Sequence, residues 1–332
     1  MLYKINEDKI EYVKIEHQIN EDISLKINNL NNYEYDQFRY FPSKYKDGWK
    51  LYLQDRLNIA ILDNETFTFY SEYENFIYLI ALKITKWDED IFGYKIANTF
   101  FSILPETSNS LKIIQKFFYT ILKFLKKNGI KLLNFRVHGD NLSVIHLCED
   151  IGFKYYENII WPYTNCIKRP IDSQEYNIRL MKNEELERVK EIAFNFQYSR
   201  GHLYCDNKID KTAINILFSK WIQSYWEKGE PIAVIDYKGD ISGYLVMKGI
   251  DKQKEKCFGY KYGQLSSMAF DPKYRGLGFG KNIIKGGINI LNDIGVEIVD
   301  TGLATKNLFS QSSIRVADFR NYYEEITFHY WF

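Results

Sequence analysis

The chain has few cysteines and none in pairs, almost no net charge, and no long apolar run. Its four cysteines, Cys148, Cys166, Cys205 and Cys257, form no C-x-x-C pair. That argues against a disulfide framework or a structural zinc site and for a reducing compartment. His17, His138, His146 and His329 show no metal-ligand spacing, so no metal is expected. A net charge of +1 leaves no electrostatic footprint for nucleic acid or an anionic membrane, so any basic site must be local. No stretch approaches transmembrane length, and the opening MLYKINEDKIEYVKIEH lacks the apolar core of a signal peptide. The expectation is a soluble, cytoplasmic protein.

What is present is ample core material. With 332 residues the length suits two domains, and an apolar fraction of 45% can fill both. The 27 tyrosines and 23 phenylalanines must occupy much of the interior. Residues 1–50 read as an opening strand and helix. Asn58–Leu62, Thr66–Tyr70 and Phe76–Ile84 look like strands of an antiparallel meander. After an apolar run from Ile96 to Leu104, a helix capped by Asn109 or Ser110 is predicted. Leu111, Ile114, Phe118, Ile121 and Leu125 form its inner stripe, and Gly129 ends it. A strand over Lys131–Val137, a short helix over Leu142–Cys148 and a strand through Ile160 follow. Cys166–Tyr176 reads as a linker, with residues 1–165 before it and 177–332 after it as the two domains. The second half restarts with a strand at Tyr176–Leu180 and helices after Asn183 and over Thr212–Trp226. Strands paired about Lys238-Gly239-Asp240 come next. A strand at Val296–Leu303, a helix near Ser312–Phe319 and a closing strand over Glu325–Phe332 complete it.

The stretch that organises the second half is QLSSMAFDPKYRGLGFGKNIIK, residues 264–285. An apolar strand ends at Asp271-Pro272, a glycine-rich turn follows, and a helix with Ile284, Ile288 and Leu291 on one face begins. Backbone N–H groups and the positive end of the helix converge there, making a site for a phosphate or pyrophosphate. The dinucleotide fingerprint fails because Gly278 and Gly280 are separated by Phe279 alone. The P-loop fails because Arg275 stands where its first glycine belongs and Asn282 follows Lys281. Arg-x-x-Gly-x-Gly, filled by Arg275, Gly278 and Gly280, is the pattern that fits.

That pattern resembles the acetyl-CoA signature of the GCN5-related N-acetyltransferases. The resemblance implies a tandem α/β fold, each copy a mixed central sheet flanked by helices. The first copy is degenerate, because Pro105-Glu106-Thr107 replaces the signature before Leu111. It further implies acetyl-CoA held by Ser267, Met268, Ala269, Phe270, Arg275, Gly276, Leu277, Gly278, Phe279, Gly280 and Lys281, with Asn307 or Ser310 as the usual asparagine. Ser199-Arg200-Gly201-His202 with Phe218-x-x-Trp221-Ile222, and Trp87-Asp88 to Phe92-Gly93, are similar to segments of nucleotide-sugar N-acetyltransferases. The expected reaction is therefore acetylation of an amine on a nucleotide-linked sugar. A polyamine, antibiotic or peptide N-terminus is a second choice of acceptor, and an inactive CoA-binding protein a third reading. A homodimer is compatible with each.

For the chemistry, the backbone N–H of Met268 is the candidate donor to the oxyanion, worth roughly 10²–10³ in rate. A base or water chain must deprotonate the amine. His202, Tyr204 and Asp206 are candidates. A packed histidine at 202 and simple turn chemistry at Asp206 remain open as readings. Arg200 suits a diphosphate or stands as a surface arginine. Trp221 is a substrate platform or a core aromatic. The tyrosine that in the resembling family protonates the thiolate aligns with Ala317, so either Tyr322 or Tyr323 substitutes for it or no side chain plays that role.

Overall fold

The structure, a computed structural model, describes residues 1–6, 11–15, 39–73, 76–105, 110–171, 175–195, 200–274 and 276–332. Two compact units emerge. One comprises Met1–Phe41, Lys46–Asn158 and Glu324–Phe332, the other Pro42–Tyr45 and Ile159–Tyr323.

The first unit runs β1 (Leu2–Asn6), β2 (Glu11–Ile15), α1 (Gly48–Leu62), β3 (Thr66–Tyr73), β4 (Phe76–Lys83), α2 (Lys86–Phe92) and β5 (Lys95–Ile103). It continues through α3 (Ser110–Lys127), β6 (Ile130–His138), α4 (Leu142–Ile151) and the start of β7 (Lys154–Asn165). Its sheet order is β2-β1-β3-β4-β5-β6-β14, the last strand being β14 (Arg320–Trp331). Strands β5 and β6 are parallel, and β14 pairs antiparallel with β6 from Glu325↔His138 to Trp331↔Leu132. Helix α3 packs on the sheet through Ile114, Phe117, Phe118, Ile121 and Leu125. Leu111, expected in that stripe, is exposed, and Asn109, one of the two expected caps, lies outside the described residues.

The meander expectation needs one correction. Asn58–Leu62 is the end of α1, not a strand. Leu53, Leu57 and Ala60 are buried at helical spacing while Asn58, Ile59 and Leu62 face outward, so the short apolar run belongs to a 3.6-residue period. Helix α2, over the Trp87-Asp88 segment, is held by Thr85, whose hydroxyl accepts from the Asp88 N–H at 3.0 Å.

The second unit takes the rest of β7, then β8 (Tyr176–Leu180), α5 (Leu186–Asn195), α6 (His202–Cys205), α7 (Lys211–Glu227), β9 (Ile232–Tyr237), β10 (Asp240–Asp251) and α8 (Lys252–Phe258). Next come β11 (Tyr262–Phe270), α9 (Phe279–Asp293), β12 (Ile298–Thr301), β13 (Leu303–Ala304), α10 (Leu308–Arg315) and the first residues of β14. Sheet order is β7-β12-β11-β10-β9-β8. The β9–β10 turn has Lys238 and Gly239 at φ 54° and 83°, the geometry of a two-residue hairpin. One face of the sheet packs on α9 through Leu245, Leu265, Val299, Ile284 and Ile288. The other packs on α5 and α7 through Val234, Tyr244, Val246, Ala269, Val189 and Ile222. Residues 166–171 and 175–176, read as linker, fall inside this unit. Arg169 there donates its N–H to Asn289 Oδ1 at 2.7 Å and its guanidinium to Asp318 at 2.8 Å.

The last helix is displaced from the expected Ser312–Phe319. Asn307 caps α10 by accepting from the Ser310 N–H at 3.2 Å, which starts the helix at Leu308. Ala317 then lies buried beyond its end, its carbonyl accepting from Thr164 Oγ1 at 2.8 Å and Arg169 at 3.1 Å.

Candidate active site

Strands β11 and β12 run parallel only from Tyr262↔Ile298 to Leu265↔Thr301. Thr301 Oγ1 closes that short ladder by donating to the Leu265 carbonyl at 2.8 Å. Beyond it, Ser266–Phe270 has no registered partner on β12. On its other side β11 pairs with β10, in a register that skips one residue, with Val246↔Ser267 followed by Met247↔Leu265. Ser266 is thus a bulged residue at the point where the two parallel strands part.

From this parting the chain runs through Asp271 into the glycine turn. Asp271 accepts from the Lys273 N–H at 3.0 Å and pairs with Arg188 of α5. Asp240 accepts from Lys273 Nζ at 2.7 Å and from the Tyr274 hydroxyl at 2.8 Å. Burial opposes ionisation of Asp271, but the Lys273 amide and Arg188 together hold its carboxyl below the usual range. The bond from Lys273 does the same for Asp240. These anchors, invisible in the sequence, fix where the turn begins.

Gly276 and Gly278 adopt φ 87° and 76°, a region open to glycine and strained for other residues. A Cβ at either would meet nothing within 4 Å, so there is open space beside both glycines. Gly278 is the N-cap of α9 and offers no side-chain cap to that helix. Its first-turn N–H groups and its dipole therefore remain for an anion. Gly280 sits against Ser313 of α10, and Lys281 is exposed. Phe279 turns into the core, edge-to-face with Tyr176 at 4.7 Å, and Leu277 is exposed. Arg275 lies outside the described residues. Such a turn has the room and the donors for a diphosphate, so the residues present fit acetyl-CoA.

The other sequence-predicted residues are distributed as follows. On β11, Ser267 and Met268 are half-buried, Ala269 is buried and Phe270 packs beside the α9 core. Asn307 is engaged as the α10 cap. Arg200 donates to the Lys306 carbonyl at 2.7 Å and lies 5.1 Å from the Phe309 ring, which ties the loop before α6 to the start of α10. Tyr204 bonds Asn215 of α7, and burial pushes its phenol up in pKa. Asp206 is buried, and its carboxylate accepts from the Lys208 N–H at 2.9 Å. His202 opens α6, and Trp221 stands on α7, edge-to-face with Phe218 at 5.1 Å. Tyr322 lies edge-to-face with Tyr163 at 5.6 Å with its hydroxyl buried. Burial pushes the Cys166 thiol up to about 12 and Cys148 higher still, which disfavours the thiolate of each. Among the described residues no helix is long and apolar enough to cross a membrane.

A strand that parts from its parallel neighbour, a positive-φ glycine turn and an uncapped helix are the acetyl-CoA-binding features of one fold. Residues 186–317 match the model of the acetyltransferase (GNAT) family. This segment is a GNAT acetyltransferase domain, and the chain carries an N-acetyltransferase that uses acetyl-CoA. Among solved structures, the GCN5-related N-acetyltransferase from Sphaerobacter thermophilus superposes with a TM-score of 0.56 at 11% identity, over 84% of this chain and 85% of that one. A tandem GNAT protein from the clavulanic acid biosynthesis pathway gives 0.56 at 10% identity, over 94% and 95%. A GCN5-related glucosamine N-acetyltransferase region of a fungal multi-domain β-N-acetylglucosaminidase gives 0.61 at 12% identity, over 93% of this chain and 36% of that one. At these identities the likeness establishes the fold, tandem and mixed α/β. No curated protein matches the sequence.

Proposed function

We propose that the second unit transfers the acetyl group of acetyl-CoA to the amine of a small-molecule acceptor, and that this acceptor is an amino sugar. The observation that carries the reading is the glycine turn at the head of the uncapped α9, set just past the parting of β11 and β12. Bound acetyl-CoA supplies an activated thioester. The protein's own residues bind and orient it: the amides of residues 276–281 take the diphosphate, with Arg275 and Lys281 flanking them. The Met268 N–H receives negative charge developing on the acyl oxygen. In this reading the amine is received beside the segment that carries Arg200, His202 and Tyr204, of which Tyr204 bonds Asn215 of α7. Protonation of the thiolate falls to Tyr322 or to water, and Tyr322→Phe separates the two.

Support for a sugar comes from the Ser199–His202 and Phe218–Ile222 segments, and a nucleotide-linked amino sugar is the finer form of the reading. By sequence position, residues 1–165 carry most of the copy without the cofactor turn, residues 166–176 are the connecting stretch and residues 177–332 carry the catalytic domain, with Glu324–Phe332 completing the first unit. The test is CoA thiol release with a panel of TDP-4-amino-4,6-dideoxygalactose, glucosamine, spermidine and an aminoglycoside. Turnover of the nucleotide sugar above the others is expected. Turnover confined to spermidine or the aminoglycoside would overturn the sugar reading. Acetyl-CoA binding with no turnover of any amine would overturn the enzymatic one.

A further inference from the structure

On the α5–α7 face of the parted strands lies a polar chain that the family pattern leaves unused. Lys254 of α8 is almost fully buried and places Nζ 2.6 Å from Asp300 Oδ2 on β12, itself only 1% exposed. Asp300 Oδ1 accepts from Gln264 Nε2 of β11 at 3.0 Å, across the register pair Gln264↔Asp300. Gln264 Oε1 accepts from the Ser266 hydroxyl at 3.4 Å. The chain ends at the bulge.

Its direction is fixed by its buried end. An ammonium only donates and a carboxylate only accepts. Asp300 can therefore face Gln264 only through the amide nitrogen, which turns the amide oxygen toward Ser266. The serine proton is used on that oxygen, and the remaining capacity of Ser266 Oγ is to accept. An acceptor-only oxygen at this point selects an N–H donor.

We propose that Ser266 receives and orients the acceptor amine, and that Lys254 and Asp300 act through Gln264 as positioning residues which hold the serine in that polarity. The inference rests on the reading of the β11–β12 parting as the acetyl-transfer site. Because the polarity is relayed, it is reversible by design. In Asp300→Asn the new side chain offers its oxygen to Lys254 and its NH₂ to Gln264. Gln264 then turns its own NH₂ to Ser266, and the serine hydroxyl points its proton at the incoming amine.

The test is steady-state kinetics with the best amine of the panel above, beside acetyl-CoA affinity by calorimetry. Ser266→Ala is expected to raise KM for the amine about tenfold or more while acetyl-CoA affinity stays unchanged, and Ser266→Thr, which keeps the hydroxyl, to restore it. Asp300→Asn is expected to match Ser266→Ala, with the double variant no worse than either. Unchanged amine KM in Ser266→Ala, failure of Ser266→Thr to rescue, or additive effects in the double variant would each overturn the proposal. If Asp300→Asn does not fold, the two Ser266 variants decide alone, since they leave the buried pair intact. Wild-type protein that neither binds acetyl-CoA nor turns over any amine would refute the functional reading instead, so the two failures are distinct.

Discussion

Gly286 and Ile178 touch so closely that a methyl group on the glycine would lie 2.5 Å from Ile178 Cγ2 and 3.1 Å from its Cβ. Helix α9 therefore rests directly on strand β8, with Gly287 making the same close approach to Leu245 of β10. The seat matters because the other end of this helix carries the glycine turn. Gly286→Ala gains roughly 0.8 kcal/mol of helix propensity, but overpacking against a β-branched side chain costs roughly 1–3 kcal/mol. A net loss of stability is expected in urea. The double variant with Ile178→Ala is expected to lose less than the sum of the singles, since the alanine removes the obstructing Cγ2.

Gly278→Val brings two effects to one place. A non-glycine residue at φ 76° costs about 1–2 kcal/mol, and the valine side chain fills space left open beside the turn. Calorimetry is expected to show acetyl-CoA affinity reduced at least tenfold, with the fold retained by circular dichroism. Unchanged affinity would show that the diphosphate binds elsewhere.

Stability in acid is expected to depend on Glu185. The hydrogen bond from Arg179, at 2.6 Å, is the largest influence on its carboxyl and holds it below the usual glutamate range. In the unfolded chain a glutamate titrates at its ordinary value, about 4.3. A group depressed in the folded state contributes stability above that value and loses it as pH falls through the folded one. Urea midpoints for the wild type should therefore drop below about pH 4, and Glu185→Gln should flatten that drop while lowering stability at pH 7.

Phe328 on β14 is fully buried in the first unit's core although it lies near the far end of the chain. Phe328→Ala is expected to destabilise that unit by about 3–5 kcal/mol. A fragment ending at residue 165 is expected to lack a cooperative thermal transition, because β6 would lose the strand that pairs with it. Hydrogen exchange at the Leu132–Val137 amides would report both.

The centre of the second unit was legible in the sequence because two independent periods meet there. Leu265 to Phe270 reads as strand, Ile284, Ile288 and Leu291 as one helical face, and the glycines between them admit few alternatives. The end of helix α1 is not legible because Asn58–Leu62, taken alone, is an apolar run too short to show its period. Helix α10 was displaced because its start is set by Asn307, a polar residue with no apolar stripe behind it. Neither the Asp271–Arg188 anchor nor the Lys254–Asp300–Gln264–Ser266 chain could be found in one dimension. Each joins side chains on separate elements that only the strand register brings together.

The distribution of β14 has a consequence for biosynthesis. On a ribosome the amino-terminal sheet must wait, its β6 border unpaired, while the entire acetyl-transfer unit is translated before Glu324–Phe332 emerges. Chaperone dependence should therefore track the pause before the final strand, and slow codons placed just ahead of it would lengthen the interval in which the nascent border is vulnerable.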